Sequence, residues 1–436
     1  MRALVHAMGD PQACYPVVHV TGTNGKGSTS RMCAALLAAE GLRVGLYLSP
    51  HLERLNERVS IAGEEICDDE LCSQLSALAE LEVFLGVQFS WFELVTAAAY
   101  RWFADEAVDA AVIEVGLGGR YDATNVVEAA VAVVTNVELD HTDILGGTRA
   151  EIAGEKAGII KSSSVVVLGE VDPAIAAVFD REAASTGAGP LWRRGEDFGG
   201  EGVRLAVGGQ AADLYTPAGR YAEVYLPLHG YHQVDNAAAA LAAAQALVGN
   251  PLSEGVVVEA FASVRVPGRL EVVARRPVVV LDGAHNPAGA RAAGAALAED
   301  FASARRVIVV MGCLRGRDPG ELLDGLIGSG PKDPAAPHAS AAPDAGPGVE
   351  SSAGPRSGAG DRIAVVVACT PLSPRAQPPG AVTSAAAARG IETVECTTPA
   401  EAVEEALGLA GEDDLVLVTG SLYVVGAARS ALLATH

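Results

Sequence analysis

In the stretch His19-Val20-Thr21-Gly22-Thr23-Asn24-Gly25-Lys26-Gly27-Ser28-Thr29, three glycines and one lysine stand between an apolar run, 17–20, and an Ala/Leu-rich run with helical spacing, 30–39. A strand that turns directly into a helix is a βα unit, and this one carries the chemistry of an anion site. Glycines permit positive φ and let backbone N–H groups converge, and the free N–H groups at the helix start add partial positive charge. Lys26 supplies the full charge. The strict phosphate-loop pattern places a glycine five residues before the Gly-Lys pair and a hydroxyl directly after it. Here Val20 holds the first place, and Gly27 separates Lys26 from Ser28.

The rest of the chain repeats the βα alternation. Short β-branched runs at 17–20, 43–48, 110–115, 131–135, 165–168, 278–281, 306–311, 363–368 and 415–419 are separated by amphipathic helical stretches. Such runs without polar alternation predict parallel strands buried on both faces. The expected fold class is α/β, with an N-terminal phosphate-loop domain on a parallel sheet and a smaller C-terminal Rossmann-like α/β domain. At 200–228 the runs shorten, alternate and gain glycine, which predicts an antiparallel edge or a small second sheet; helices are expected at 231–248 and 253–264. The Pro267-Gly268 pair marks the expected boundary, giving domains 1–266 and 267–436. In 328–361, Pro, Ala, Gly and Ser displace every large apolar side chain but one valine, so this stretch is expected to be a disordered excursion from the second domain.

A chain of 436 residues with 31 Lys plus Arg against 54 Asp plus Glu, net −23, is too long for one ordinary domain and too acidic for a general binder of nucleic acid or anionic membrane. Any anion must be held by local positive groups. Seven scattered cysteines without a CxxC pair read as reduced thiols and argue against zinc. No apolar run reaches the ~18 residues of a membrane span, and a cytoplasmic protein is expected.

The other chemically suggestive residues recur where strands end, the edge at which α/β sheets bind ligands. A polar loop, Ser49-Pro50-His51-Leu52-Glu53-Arg54-Leu55-Asn56-Glu57-Arg58, follows the second run; taken alone it is a solvated loop. The third run ends at Glu114, followed by Val115-Gly116-Leu117-Gly118-Gly119-Arg120-Tyr121-Asp122-Ala123-Thr124-Asn125. A carboxylate at an apolar strand end is costly unless a cation or metal pairs with it. After the next run, Leu139-Asp140-His141-Thr142-Asp143 places a histidine at the same edge. Lys156 lies in a helix of small and apolar residues, where a lysine by itself reads as snorkelling.

Together these segments resemble a known family. The stretch 21–29, 49–52 with Glu57-Arg58, Phe92-Glu93, 114–125, 139–143, 155–159, 230–236, 267–271 and 282–287 follow the order and spacing of folylpolyglutamate synthase and the bifunctional dihydrofolate synthase, members of the Mur ligase superfamily. The resemblance runs from about residue 9 to 429 apart from the Pro/Ala-rich insert.

The resemblance implies an ATP-dependent ligase that adds L-glutamate to a reduced folate, and to 7,8-dihydropteroate, through an acyl phosphate. Thr23, Asn24, Gly25, Lys26, Gly27 and Ser28 would hold the ATP phosphates, with Asn236, Arg269, Asp282 and His285 as further nucleotide contacts. Ser49, Glu114 and His141 correspond to magnesium ligands, and Lys156 to a lysine that carbon dioxide converts to a carbamate ligand. Lys26, His141 and Lys156 would be the catalytic groups. Phe92, Tyr121 and Asp122 fall where the pteroyl group is held. Magnesium is the expected cofactor and ATP the co-substrate, with a monovalent cation left open; a monomer without nucleic-acid or membrane partners is expected. Two departures stand out: only 20 residues precede Thr21 where the family carries a longer segment, which bears on dihydropteroate, and Arg315-Gly316-Arg317-Asp318 keeps one of the family's two acidic residues. A peptidoglycan-precursor Mur ligase and a non-catalytic nucleotide-binding protein are the competing classes.

Overall fold

A computed structural model describes residues 1–328 and 362–434. The expected disordered excursion therefore lies outside the described residues, apart from Gly328, which caps the helix Pro319–Ile327. The chain divides into two compact units, 1–267 and 268–436.

The first unit is built on an eight-stranded sheet of β1 (Val17–Thr21), β2 (Val44–Tyr47), β3 (Val59–Ile61), β4 (Glu64–Glu65), β5 (Ala110–Glu114), β6 (Ala129–Val134), β7 (Val165–Leu168) and β8 (Leu191–Arg193). Their order is β4-β3-β2-β5-β1-β6-β7-β8. Five of its pairings are parallel, and the two antiparallel ones, β2 with β3 and β3 with β4, lie at one edge. β1 and β5 are buried along their whole length, as their mostly apolar sequences require. The chain leaves β1 toward β2 on one side, and β5 and β6 flank β1 on both sides. The crevice beyond the carboxyl end of β1 is thus the switch point where α/β sheets take ligands.

Two helices close one face of this sheet. Lys26–Ala39 and His232–Val248 pack on each other, and eight consecutive residues of the second, from Ala237 to Ala244, are buried. Seven of them are alanine. A helix apolar all round belongs inside, and alanine combines the best helix propensity with the closest approach. The alternating segment after β8 forms the expected small antiparallel sheet: β9 (Gly199–Ala206), β10 (Gly209–Thr216) and β11 (Gly219–Leu226).

The second unit carries β12 (Glu271–Arg275), β13 (Val278–Leu281), β14 (Val307–Met311), β15 (Ile363–Ala368), β16 (Glu392–Glu395) and β17 (Leu415–Thr419) in the order β12-β13-β17-β14-β15-β16. All its pairings are parallel except β12 with β13. Val280, Val309, Met311, Val366 and Leu417 form the middle of its core.

Candidate active site

The phosphate loop spans residues 22–25, between β1 and the helix Lys26–Ala39. Gly22 has φ +148° and Gly25, the helix N-cap, φ +86°. Neither position has room for a side chain. A Cβ on Gly22 would lie 1.8 Å from Thr135 Oγ1, and one on Gly25 would lie 2.3 Å from Asn236 Oδ1. The loop is therefore held between the end of β6 and the helix His232–Val248, which places Asn236 against it. Residues 135–138 latch it further. Thr135 Oγ1 donates to Asn24 O (2.6 Å), Asn24 N donates to Asn136 Oδ1 (3.0 Å), and Glu138 N donates to Thr23 Oγ1 (2.9 Å). Side chains that lock a loop, such as those of Thr135, Asn136 and Thr23, the partner of the Glu138 backbone, show no spacing signature in the sequence.

Two lysines converge on one carbonyl. Lys26 Nζ donates to Gly22 O (3.1 Å) and Thr23 O (3.2 Å), while Lys156 Nζ donates to Gly22 O at 2.8 Å. Lys156 is buried, on the helix Arg149–Ala157. Burial, and then the charge of Lys26, push its pKa down from the ordinary 10.5 to about 7, against the opposing pull of Asp140 and Asp122. An amine so placed is substantially neutral at neutral pH. The 118–120 turn seats this helix: Arg120 N donates to Glu155 O (2.8 Å), and a Cβ on Gly119 would meet Glu155 O at 2.7 Å.

Glu114, 5% exposed at the end of β5, accepts the Ser49 N–H at Oε2 (2.8 Å). Its carboxylate faces Gly27, where an added Cβ would come within 3.5 Å of Oε2. Ser49 Oγ is buried and lacks a hydrogen-bond partner. A carboxylate and an unsatisfied hydroxyl side by side at the start of the phosphate-loop helix are hard oxygen donors, the set that suits magnesium when phosphate and water complete the shell. Among the described residues, no three His, Cys, Asp or Glu side chains form a metal cage by themselves. His141 follows β6, on the opposite side of β1 from Glu114; it has φ +50°, and its Nε2 lies 3.8 Å from Asp140 Oδ1.

Ser49 also lines a cavity of about 270 Å³ with Pro50, Arg58, Trp91, Phe92, Gly116, Leu117 and Asp122. Phe92 and Asp122 both face Gly116, where an added Cβ would meet the Phe92 ring at 2.5 Å and Asp122 Oδ2 at 3.1 Å. Arg58, 6% exposed, stacks over the Trp91 ring at 4.8 Å and donates its Nε–H to His51 Nδ1 (2.9 Å). Burial and Arg58 lower the pKa of His51, in keeping with its role as acceptor. Tyr121, by contrast, is 86% exposed and is absent from the cavity wall. Backbone N–H groups draw its neighbour Asp122 inward, and Tyr121 is turned out.

In the second unit, both carboxylate oxygens of Asp282, just beyond β13, accept backbone N–H groups, from Leu270 (3.0 Å) and Ala284 (2.9 Å). Arg269 Nη1 would be 2.1 Å from a Cβ on Gly283, and His285 Nδ1 is 2.9 Å from Gly283 O. Arg269, Asp282 and His285 thus gather at the carboxyl end of one strand.

Residues 92–244 match the family described as Mur ligase middle domain, and residues 268–422 the Mur ligase glutamate ligase domain. The dihydrofolate synthase/folylpolyglutamate synthase of Mycobacterium tuberculosis is 40% identical over 348 residues, which cover 75% of this chain and 70% of that one. The chain belongs to the folylpolyglutamate synthase/dihydrofolate synthase family of Mur ligases. It is an ATP-dependent ligase. The structure of the Mycobacterium tuberculosis folylpolyglutamate synthase complexed with ADP and AMPPCP matches at a TM-score of 0.87 and 35% identity, covering 99% of this chain and 94% of that one. Escherichia coli FolC in complex with DHPP and ADP matches at 0.83 and 30% identity, covering 99% and 92%. Of its relatives in Halobacterium salinarum and Haloferax volcanii, each 34% identical, the chain spans about half the length (48%). Among the described residues no helix is long and apolar enough to cross a membrane.

Of two further cavity residues, Arg58 entered the family resemblance beside Glu57 without a site role, and Trp91 did not enter it. Trp91 gave a usable signal, as an aromatic directly after the helix-capping Ser90 and beside Phe92, and it is 52% exposed.

Proposed function

We propose that this synthase joins L-glutamate to the terminal carboxylate of a reduced folate, and of 7,8-dihydropteroate, using ATP. The observation that carries the reading is the position of Ser49, which lines the aromatic cavity and also sits against Glu114 beside the phosphate loop. A flat pteroyl ring in the cavity, between the Trp91–Phe92 side and the Asp122 carboxylate, would direct its carboxylate tail toward the phosphate loop. Families of competing class lose ground here: the ligase domains set aside a non-catalytic binder, and the relatives named above are folate ligases and not peptidoglycan-precursor ligases.

The chemistry follows from what amide synthesis requires. The substrate carboxylate oxygen attacks the γ-phosphorus of ATP, the bond to ADP breaks, and an acyl phosphate forms. The glutamate nitrogen then attacks the acyl carbon, phosphate leaves and the amine releases a proton. The phosphate-loop N–H groups and Lys26 stabilise charge on the transferring phosphoryl group, the main service a protein offers this transfer. Ser49 and Glu114, with His141 and Lys156, would hold magnesium, which when bound acts as a Lewis acid on the phosphoryl oxygens. Neutral Lys156 can add carbon dioxide, releasing one proton, to give a carbamate. That change would replace an amine whose protonated form repels Lys26 with an anion that attracts it.

The test is phosphate release from ATP with dihydropteroate, tetrahydrofolate or a muramyl peptide, each with and without L-glutamate. Glutamate-dependent release with a pteroyl substrate is expected, and release only with the muramyl peptide would refute the reading. Lys156→Ala should be nearly inactive and partly rescued by acetate or formate in proportion to concentration. Lys26→Ala, which lacks a cation, should not be rescued.

A further inference from the structure

His19 is the one titratable side chain of the opening motif that the ligase chemistry leaves unused. It lies on β1, three residues before Gly22 at the start of the phosphate loop, and is fully buried in a mostly apolar strand. Its Nε2 is 2.9 Å from Thr124 Oγ1, while Nδ1 is buried without a partner. Thr124, also fully buried, lies within hydrogen-bond distance of Asp122 Oδ1 through the same Oγ1. Its backbone N donates to that oxygen as well (3.0 Å), and its carbonyl accepts the Tyr100 hydroxyl (2.9 Å). Asp122 Oδ2 accepts the Leu117 N–H (2.8 Å) and borders the cavity.

A threonine hydroxyl has one hydrogen to give. An ionised carboxylate only accepts, so that hydrogen must go to Asp122; were it given to His19, two lone pairs would face each other across the Thr124–Asp122 contact. His19 must therefore donate from Nε2, and Nδ1 keeps its lone pair. The unpartnered atom is then a bare acceptor, whereas the other tautomer would bury an unsatisfied N–H. Burial also lowers the pKa of His19 to about 3, so the ring stays neutral and holds one tautomer.

We infer that His19 is a positioning residue for the pteroyl substrate: its Nε2–H commits the Thr124 hydroxyl hydrogen to Asp122 and so fixes the Asp122 carboxylate toward the cavity. The inference rests on the cavity being the pteroyl site. It adds a buried link from the phosphate-loop strand to substrate recognition.

The test compares KM for the pteroyl substrate and for ATP in Thr124→Val, Thr124→Ser, His19→Leu, His19→Gln and Asp122→Ala. Thr124→Val, isosteric but without the hydroxyl, should raise the pteroyl KM roughly tenfold or more, the loss of a hydrogen bond to a charged group, with the ATP KM unchanged. Thr124→Ser, and His19→Gln with a donor near the Nε2 position, should recover most of the affinity. His19→Leu should raise the pteroyl KM as Thr124→Val does, and add nothing in the Thr124→Val background. On the wild type, nitrogen-15 histidine spectra, with His19 assigned by difference from His19→Gln, should show the neutral Nε2–H tautomer. An Nδ1–H tautomer overturns the proposal whether or not His19→Leu folds. If Asp122→Ala leaves the pteroyl KM unchanged, the cavity assignment is wrong and the proposal falls with it. If Asp122→Ala raises it and Thr124→Val does not, the cavity stands and the His19 link is refuted.

Discussion

Replacing Lys156 by methionine should abolish ligation and stabilise the protein, and the gain should depend on pH. The buried amine has its pKa lowered from 10.5 to about 7. At 1.36 kcal/mol per pH unit, keeping it protonated in the fold costs on the order of 4–5 kcal/mol. Methionine removes the charge and keeps most of the stem. Gly22 O is not left unpaired, because Lys26 Nζ also donates to it at 3.1 Å. Setting a lost hydrogen bond of about 1 kcal/mol and imperfect packing against the relieved charge leaves a net gain of roughly 2–4 kcal/mol at pH 6. Between about pH 7 and 10.5 the unfolded wild type binds a proton that the folded wild type releases, so wild-type stability rises with pH across that window. The advantage of Lys156→Met should therefore be full below pH 7, shrink by about 1.4 kcal/mol per pH unit above it, and vanish between about pH 8.5 and pH 10. Urea unfolding of both full-length proteins at pH 6, 8 and 10 measures this; bicarbonate-free buffer is needed because a carbamate would relieve the same penalty. A variant less stable than wild type at pH 6, or a difference that ignores pH, would refute the reasoning.

Three further outcomes are expected. Lys26→Ala should lower turnover roughly a hundredfold or more, with an unchanged or slightly raised melting temperature, since it removes a charge that repels Lys156; unfolding would contradict this. Glu114→Gln keeps an acceptor for the Ser49 N–H and so should fold normally, but its activity should saturate only at much higher magnesium; an unchanged magnesium titration would remove Glu114 from the metal site. Gly25→Ala should cost about 1–2 kcal/mol of stability for a left-handed alanine. It should also raise the ATP KM, because its Cβ would displace Asn236, 2.3 Å away; a normal ATP KM would show that Asn236 plays no part in nucleotide binding.

What the sequence revealed and what it withheld divide along physical lines. Glycines at positive φ, a lysine at a helix start and apolar strands announce themselves because backbone geometry and burial demand those residue types. The phosphate loop, the antiparallel sheet at 199–226 and the placement of Glu114 at a strand end were therefore legible. β16, with the sequence Glu-Thr-Val-Glu, was not, because its charged ends hide an edge strand. Side chains that act through long-range contacts were the harder class: Asn236, 211 positions from Gly25, was reached only through family resemblance. Tyr121 was assigned with its neighbour Asp122, yet the turn sends the two side chains to opposite sides. His19 lay in the most conspicuous motif of the chain, and its signal, a titratable ring in a buried apolar strand, gained meaning only once Thr124 was beside it.

The central claim is that this cavity and this phosphate loop together activate a folate carboxylate as an acyl phosphate. Oxygen transfer tests it most directly: a pteroyl substrate labelled with oxygen-18 in its reacting carboxylate is incubated with ATP and L-glutamate, and the released phosphate is analysed by mass spectrometry. The account predicts one labelled oxygen in inorganic phosphate for each amide formed, with ADP as the nucleotide product. Unlabelled phosphate, or release of AMP and pyrophosphate, would contradict it.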